Sequence, residues 1–429
     1  MDERAPVSPL DTQHLPLRQV FAVGVGNALE FYDFLTFSFF AIQIGHCFFP
    51  ESQTSHGLLY SLATFGVGFL MRPLGGVVIG VYGDRVGRRP AMVLSFTLMG
   101  GAILGLALTP SYAQIGIAAP ILLVIFRLVQ GFAMGGEVGP STAFLVEAAP
   151  PHRRGLYVSI QYMTQDVAVL AAGVAGFALS TWLTPAELDA WGWRAAFLIG
   201  TAVVPVGLSM RRSLPETMHP ADHGAATGLQ RRVPARLVVL ALSLMFAAAT
   251  YCYGLDYITT YVQDSLQMAP TSAFGATIVI GICAIVADPA CGLLSDRIGR
   301  KPVMLGAVAL LVLLLVTAFM AMTALRTVPV VYGSIAILAV LQAFVTAPAL
   351  VAITESLPKA VRSGALAIIY AVSTVFAGST QLAIQGFSNV TGSRLAPAWY
   401  MTGAVVIGGI AMLLMKETAP VKVGRVQGR

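Results

Sequence analysis

Gly80-Val-Tyr-Gly-Asp84-Arg85-Val-Gly87-Arg88-Arg89-Pro90 recurs 212 residues later as Gly292-Leu-Leu-Ser-Asp296-Arg297-Ile-Gly299-Arg300-Lys301-Pro302. A second signature, Glu147-x-x-Pro150-x-x-x-Arg154, returns 208 residues later as Glu355-x-x-Pro358-x-x-x-Arg362. Two motifs repeating in the same order at nearly one offset divide the chain into two related halves. Each copy is a polar interruption between long apolar runs, so the repeated unit is a set of membrane helices and the loops joining them.

The composition agrees. Of 429 residues, 56% are apolar and 11% charged, with a mean hydropathy of +0.78, whereas about a quarter of a soluble domain is charged. A soluble enzyme is excluded. Runs of about 20 apolar residues suit a bilayer, and twelve occur: 18–48, 57–81, 90–110, 116–146, 156–182, 194–211, 236–263, 271–294, 302–324, 328–354, 363–388 and 398–416. The 43 glycines and 24 prolines fall largely inside them, which membrane helices tolerate. The fold class expected is an all-α membrane protein with twelve transmembrane helices in two pseudo-symmetric six-helix bundles. Residues 1–17 form an N-terminal tail, 18–211 the first bundle, 212–235 a linker, 236–416 the second bundle and 417–429 a C-terminal tail.

The net charge of +6 is a topology signal. With the N-terminus inside, 21 of the 26 Lys and Arg fall in cytoplasmic segments; Arg194, Arg326 and Arg394 lie outside, and Arg72 and Arg127 lie within spans. The positive-inside rule then places both termini in the cytoplasm, and a bacterial inner membrane is a separate expectation. No nucleic-acid partner is needed to explain the charge. Residues 1–17 lack the basic start and cleavage site of a signal peptide, so insertion through the first span is expected. Cys47, Cys252, Cys283 and Cys291 have no metal-ligand spacing, and no cofactor, metal site or catalytic triad is expected.

Charged side chains within membrane helices are costly and need a partner or a cavity. The spans hold two arginines, Arg72 and Arg127, and six acids: Glu30, Asp33, Glu137, Asp166, Asp256 and Asp288. At about 1.5 Å rise per residue, Glu30, Asp33, Arg72 and Arg127 fall near the midplane. Asn27, Glu30 and Asp33 follow i, i+3, i+6 spacing on adjoining parts of one face, with Arg72 as the expected counter-charge. Arg127 has Gln130 on its own face. Its guanidinium suits bidentate capture of a substrate carboxylate; an ion pair with an acid of span 1 or 5 is the other reading. Gln161, Gln165 and Gln342 could hydrogen-bond carboxylate or hydroxyl oxygens, or join helices. Tyr257 and Tyr370 sit in aromatic stripes that could line a site or only pack. Asp288 precedes Pro289, where an interrupted helix is expected.

The Gly-x-x-x-Asp-Arg-x-Gly-Arg-Arg loop resembles the signature of the major facilitator superfamily. Gly26-Asn27-Ala-Leu-Glu30-Phe-Tyr32-Asp33-Phe34, Gly68-Phe-Leu-Met-Arg72-Pro73-Leu-Gly75-Gly76, Arg127-Leu-Val-Gln130-Gly131, Gly135-Gly136-Glu137, Gly192-Trp193-Arg194 and Arg211-Arg212-Ser-Leu-Pro-Glu216-Thr217 are similar to its metabolite:proton symporter branch. Within that branch the chain most resembles the citrate and tricarballylate carriers. The resemblance implies import of a small organic anion, a di- or tricarboxylate such as citrate, in symport with protons by a monomeric carrier; sodium could replace the proton. A carrier of a zwitterion or cation such as betaine or proline is the alternative, and a sensor on the same fold is the third reading. Coupling would fall to Glu30 or Asp33, with Glu137 as a second candidate, and substrate binding to Arg127 with Arg72 tuning the acid. Asp84, Arg85, Arg88 and Arg89 would latch to Glu147 and to Arg362. By the repeat, Asp296, Arg297 and Arg300 would meet Glu355 and Arg154. Asp166, Asp256 and Asp288 depart from what the resemblance implies, since the corresponding helices of tricarboxylate carriers tend to be neutral.

Overall fold

The computed structural model describes residues 27–28, 31–49, 56–135, 142, 145–146, 149–213, 233–358 and 361–422. Among them there is no strand, and twelve helical spans follow one another. In the first half, α1 comprises 31–39 and, past a bend at Phe40, Ala41–Phe48; α2 comprises Gly57–Leu70 and Arg72–Val86. Then come α3 (Arg88–Leu108), α4 (Ala118–Met134), α5 (Arg154–Trp182) and α6 (Trp193–Ser213). The second half holds α7 (Ala235–Asp256, then Ile258–Thr260), α8 (Pro270–Ile298), α9 (Arg300–Leu325) and α10 (Val328–Ser356). It closes with α11 (Arg362–Ala377, then Thr380–Thr391) and α12 (Ala396–Leu414).

The bends are sequence-driven. Met71 separates the two parts of α2 just before Pro73, which is tolerated in the first turn of the new segment because the amide it lacks has no intrahelical partner there. Gly87 and Gly299, at one position of the repeated loop, adopt φ of 126° and 109° and precede α3 and α9. Only glycine enters that region cheaply. The sequence expectation at Pro289 needs correction: α8 runs unbroken from Pro270 to Ile298 with Pro289 inside it, because packing against neighbouring helices lets a membrane helix absorb one lost backbone bond.

Nine helices among the described residues are long and apolar enough to cross a membrane. Their outer faces carry exposed apolar side chains, among them Val286 at 70%, Leu313, Ile368 and Leu413, as lipid contact demands. The two halves meet along α5–α8 and along α2–α11. Lipid supplies no hydrophobic drive between helices, so close packing of small residues must hold them. A Cβ on Gly292 of α8 would stand 2.4 Å from Ser159 Oγ and 2.8 Å from the Gly155 carbonyl oxygen of α5. Likewise, a Cβ on Gly131 of α4 would meet the Gly68 carbonyl oxygen of α2 at 1.6 Å. These approaches fix how α4 and α5 present their polar faces.

Candidate functional site

The Gly68–Gly131 approach brings both buried arginines beside α1. Arg127 is fully buried (0% exposed). Its Nη1 donates to Gln130 Oε1 at 2.6 Å and its Nη2 to the Phe65 carbonyl oxygen at 3.2 Å. Its guanidinium carbon lies 4.9, 4.5 and 5.3 Å from the ring centres of Phe34, Phe37 and Phe65. Arg72 lies 4.8 Å from the same Phe34 ring and 4.1 Å from Phe69, with Met134 Sδ at 3.8 Å. The hydroxyls of Tyr253 and Tyr370 reach it from the second half. Phe34 therefore stands between two cations and offers a negative π face to each.

Neither arginine meets a carboxylate within 4.0 Å among the described residues. Arg72 therefore does not pair with Asp33 of the expected acid face; Glu30, the other acid of that face, lies outside the described residues. Asp33 faces α6 instead, so closely that a Cβ on Gly200 would stand 1.9 Å from Asp33 Oδ1, and that oxygen has no hydrogen-bond partner. Asn27 donates to the Gln161 carbonyl oxygen and to Thr164 Oγ1 of α5. Six residues on a helix turn the side chain by about a third of a circle, which is why Asn27 and Asp33 face different neighbours. Glu30, Glu137 and Glu147 lie outside the described residues, as do the side chains of Asp84, Arg88 and Arg89. Arg85 and Arg297 are exposed.

A cavity of about 40 Å³ lies between the halves, walled by α1, α5, α7, α10 and α11. That is room for a few waters. Its polar wall consists of Tyr162, Gln165, Asp166, Cys252, Tyr253, Asp256, Gln342, Thr346 and Tyr370. Of the sequence-derived binding residues, Gln165, Gln342 and Tyr370 are on it. Arg127, Gln130, Asn27, Gln161 and Tyr257 are not: Arg127 and Gln130 bond each other, Gln161 accepts from Thr142 at 2.9 Å and Tyr257 donates to Gln385, while Arg127 Nε and Gln130 Nε2 are buried without a partner. Arg72 is not on that wall but lies behind two of its residues, Tyr253 and Tyr370.

Three acids with no role assigned by sequence converge here. Asp166 of α5 and Asp256 of α7 line the cavity, and Asp288 of α8, 1% exposed, hydrogen-bonds Asp166 side chain to side chain. Sequence spacing could not pair residues on three helices; their departure from the neutral positions of tricarboxylate carriers was the available signal.

A polar latch closes one end of the bundle. Asp296 Oδ1 and Oδ2 accept from the Gly155 and Leu156 amides at 2.9 and 3.0 Å, satisfying the open N-terminus of α5 across the two halves. Arg300, buried, pairs through Nη1 with Asp296 at 2.7 Å and through Nη2 with Glu355 at 3.4 Å, while Arg154 stands 3.8 Å from Glu355. The second loop thus meets Glu355 through Arg300, and Arg154 approaches the same Glu355. Arg362, also buried, donates to the Leu357 carbonyl oxygen.

The sequence reading missed Glu417, whose carboxylate accepts from the Arg300 and Lys301 amides at the start of α9, both at 3.0 Å. Burial alone would raise the Glu417 carboxyl, but the amides of Ala419, Arg300, Lys301 and Thr418 outweigh it and hold it below the usual range. The signal was present: Glu417-Thr418 after α12 repeats Glu216-Thr217 after α6.

The chain is 35% identical over 405 residues to a citrate-proton symporter of Klebsiella pneumoniae, covering 91% of this chain and 90% of that protein. It is 32% identical over 421 residues to a proline/betaine transporter of Escherichia coli (strain K12), covering 94% and 84% respectively. Its fold is similar to the crystal structure of a D-xylose-proton symporter, with a TM-score of 0.76 and 18% identity over 94% of this chain and 99% of that one. The family model of the Major Facilitator Superfamily matches residues 31–287 and again 257–427. With the repeated loops, the two packed halves and the enclosed cavity between them, the chain belongs to the Major Facilitator Superfamily.

Proposed function

We propose that this protein is a secondary carrier that imports a small carboxylate-bearing solute, a di- or tricarboxylate such as citrate, in symport with protons by alternating access. It acts as a monomer in a bacterial inner membrane with both termini cytoplasmic. The observation that carries this reading is the cavity between two repeated bundles, walled by carboxyl, amide and phenol groups with Arg72 behind them. Such a position between repeats is where alternating-access carriers place their solute. The relatives support the coupling and the solute class, since one is a citrate-proton symporter. The latch of Asp296, Arg300, Glu355 and Arg154 would hold the cytoplasmic end shut, with the first loop and Glu147 as its counterpart.

A second reading, transport of a zwitterion such as betaine or proline, is favoured by one observation. Asp166 and Asp256 face the cavity while Arg72 lies behind its wall, an arrangement suited to a solute with both charges. Purified protein in proteoliposomes with an imposed pH gradient, offered labelled citrate, a dicarboxylate and glycine betaine in parallel, decides between them. Gradient-driven accumulation of a carboxylate anion is the expected result; accumulation of betaine alone transfers the function to the second reading, and no accumulation of any solute ends both.

A further inference from the structure

We infer that the coupling proton is held by the carboxyl cluster of Asp166, Asp256 and Asp288, across the α5–α8 interface between the halves. This deepens the symport reading above and rests on it. Gly281 and Gly292 bring α8 into backbone contact with α5, and in that buried interface the carboxyls of Asp166 and Asp288 lie within hydrogen-bonding reach of each other; because an ionised carboxylate only accepts hydrogen bonds, one of the two must carry a proton for them to share that place. Its two holders belong to different halves, and alternating access rocks one half against the other. Parting them forces a choice. Either each carboxyl leaves protonated, or a bare carboxylate remains in a buried interface, where an unpaired charge is strongly unfavourable.

A second observation comes from outside the acid set. Gln342 of α10, 6% exposed, lines the same cavity, and its Oε1 has no hydrogen-bond donor; Asp288 Oδ2 also lacks one. Two buried acceptors without donors mark a place that a proton carried by water would complete. Asp256 faces the cavity beside Asp166, giving the proton a route between cavity and pair. Among the described residues, the other titratable groups facing the three carboxyls or the cavity beside them are Tyr162 of α5, Cys252 and Tyr253 of α7, Cys291 of α8 and Tyr370 of α11. Thr346 and Gln342 of α10 are neutral. Among the described residues no Lys, Arg or His stands within 4.0 Å of any of the three, so protonation is the available means of neutralising them. A carboxylate anion could then enter the cavity only after the cluster is loaded, which orders the cycle as proton first and solute second.

The test uses the full chain in proteoliposomes, comparing pH-gradient-driven accumulation with solute counterflow for the solute that the wild type transports. In Asp288→Asn the amide can donate to Asp166, keeping the contact without the shared proton, and Asp166→Asn/Asp288→Asn keeps an amide pair. The double variant is expected to lose accumulation above the passive ratio while counterflow survives. Proton uptake on solute binding, measured with a pH-indicator dye in detergent, is expected to vanish with it, a readout that a purely structural contact would not move. If the double variant does not fold, infrared difference spectroscopy of the wild type against Asp288→Asn is expected to show loss of a protonated-carboxyl band. Retained accumulation or an unchanged band overturns the inference. So does collapse of accumulation in Asp33→Asn alone, or accumulation driven by sodium at a clamped pH. A wild type that ignores the pH gradient for every solute instead removes the symport reading on which it rests.

Discussion

Two groups of like charges lie buried in this molecule, and they are stabilised by opposite means. On the α1–α2–α4 side, Arg72 and Arg127 share the ring of Phe34 and lean on Phe37, Phe65 and Phe69. On the α5–α7–α8 side, Asp166, Asp256 and Asp288 gather beside the cavity, and two of them hydrogen-bond each other. A guanidinium stays charged in a protein, so the first group must be solvated by aromatic faces, a carbonyl and an amide oxygen. Carboxyls can take up protons, so the second group can neutralise itself. The arginine side is thus a fixed positive field and the acid side a variable one, and only the variable side can exchange a proton during a cycle.

Arg300 extends the comparison, because it is as buried as Arg127 yet neutralised directly by Asp296 and Glu355. Arg300→Ala is expected to have the largest effect on stability. It leaves buried Asp296 with only its two amide donors and Glu355 with only Arg154, at 3.8 Å, as a cation partner among the described residues, against a loss of about 3–5 kcal/mol for a buried pair broken outright. Thermal unfolding in detergent should fall well below the wild type, and cysteines introduced at the latched end should label faster. A variant that melts like the parent would mean that the backbone amides of Gly155 and Leu156 alone hold the carboxylate.

Arg127 comes next. If the fixed positive field attracts the solute, Arg127→Ala should weaken binding by less than the ~2–5 kcal/mol of a directly paired charge, because Arg127 is not on the cavity wall, and so by less than the roughly thirty-fold in Kd that such a pair would cost at the least. Arg127→Lys should fall between, keeping the charge while losing the planar contacts to three phenyl rings. Calorimetry on folded, monodisperse protein measures both, and unchanged affinity in Arg127→Ala would leave Arg72 as the solute's cation.

Glu417 gives the smallest effect. Its carboxyl is depressed by amide donors, so its contribution is present above the ordinary glutamate value of about 4.3 and is lost as pH falls through the lower folded value. Wild-type melting temperature should therefore decline on acidification past that range, and Glu417→Gln should show a flatter pH profile. An identical profile in the variant would assign the acid sensitivity to Asp296 or Glu355.

Much of this was legible in the sequence. The apolar runs gave the twelve spans, the repeated loops gave the halves, and the repeat pointed to Glu355, which Arg300 of the second loop reaches and which Arg154 also approaches. Gly87 and Gly299, within those repeated loops, take the positive φ that starts α3 and α9. Depth along a helix was also readable, since rise per residue is constant, and it placed Arg72 and Arg127 deep within their spans. What a linear reading could not supply was the direction each side chain faces. In a soluble helix the polar stripe marks the outside, but here lipid and interior are both apolar, so α8 and α10 carry little periodic signal of which face is buried. The facing partners were decided by the close approaches at Gly131, Gly155, Gly200 and Gly292. Those contacts enclosed Arg127 among phenylalanines, set Asp33 against α6, and brought Asp166 and Asp288, 122 residues apart in the chain, into one hydrogen bond. Covalent order sets which charges enter the membrane; helix packing sets which of them meet.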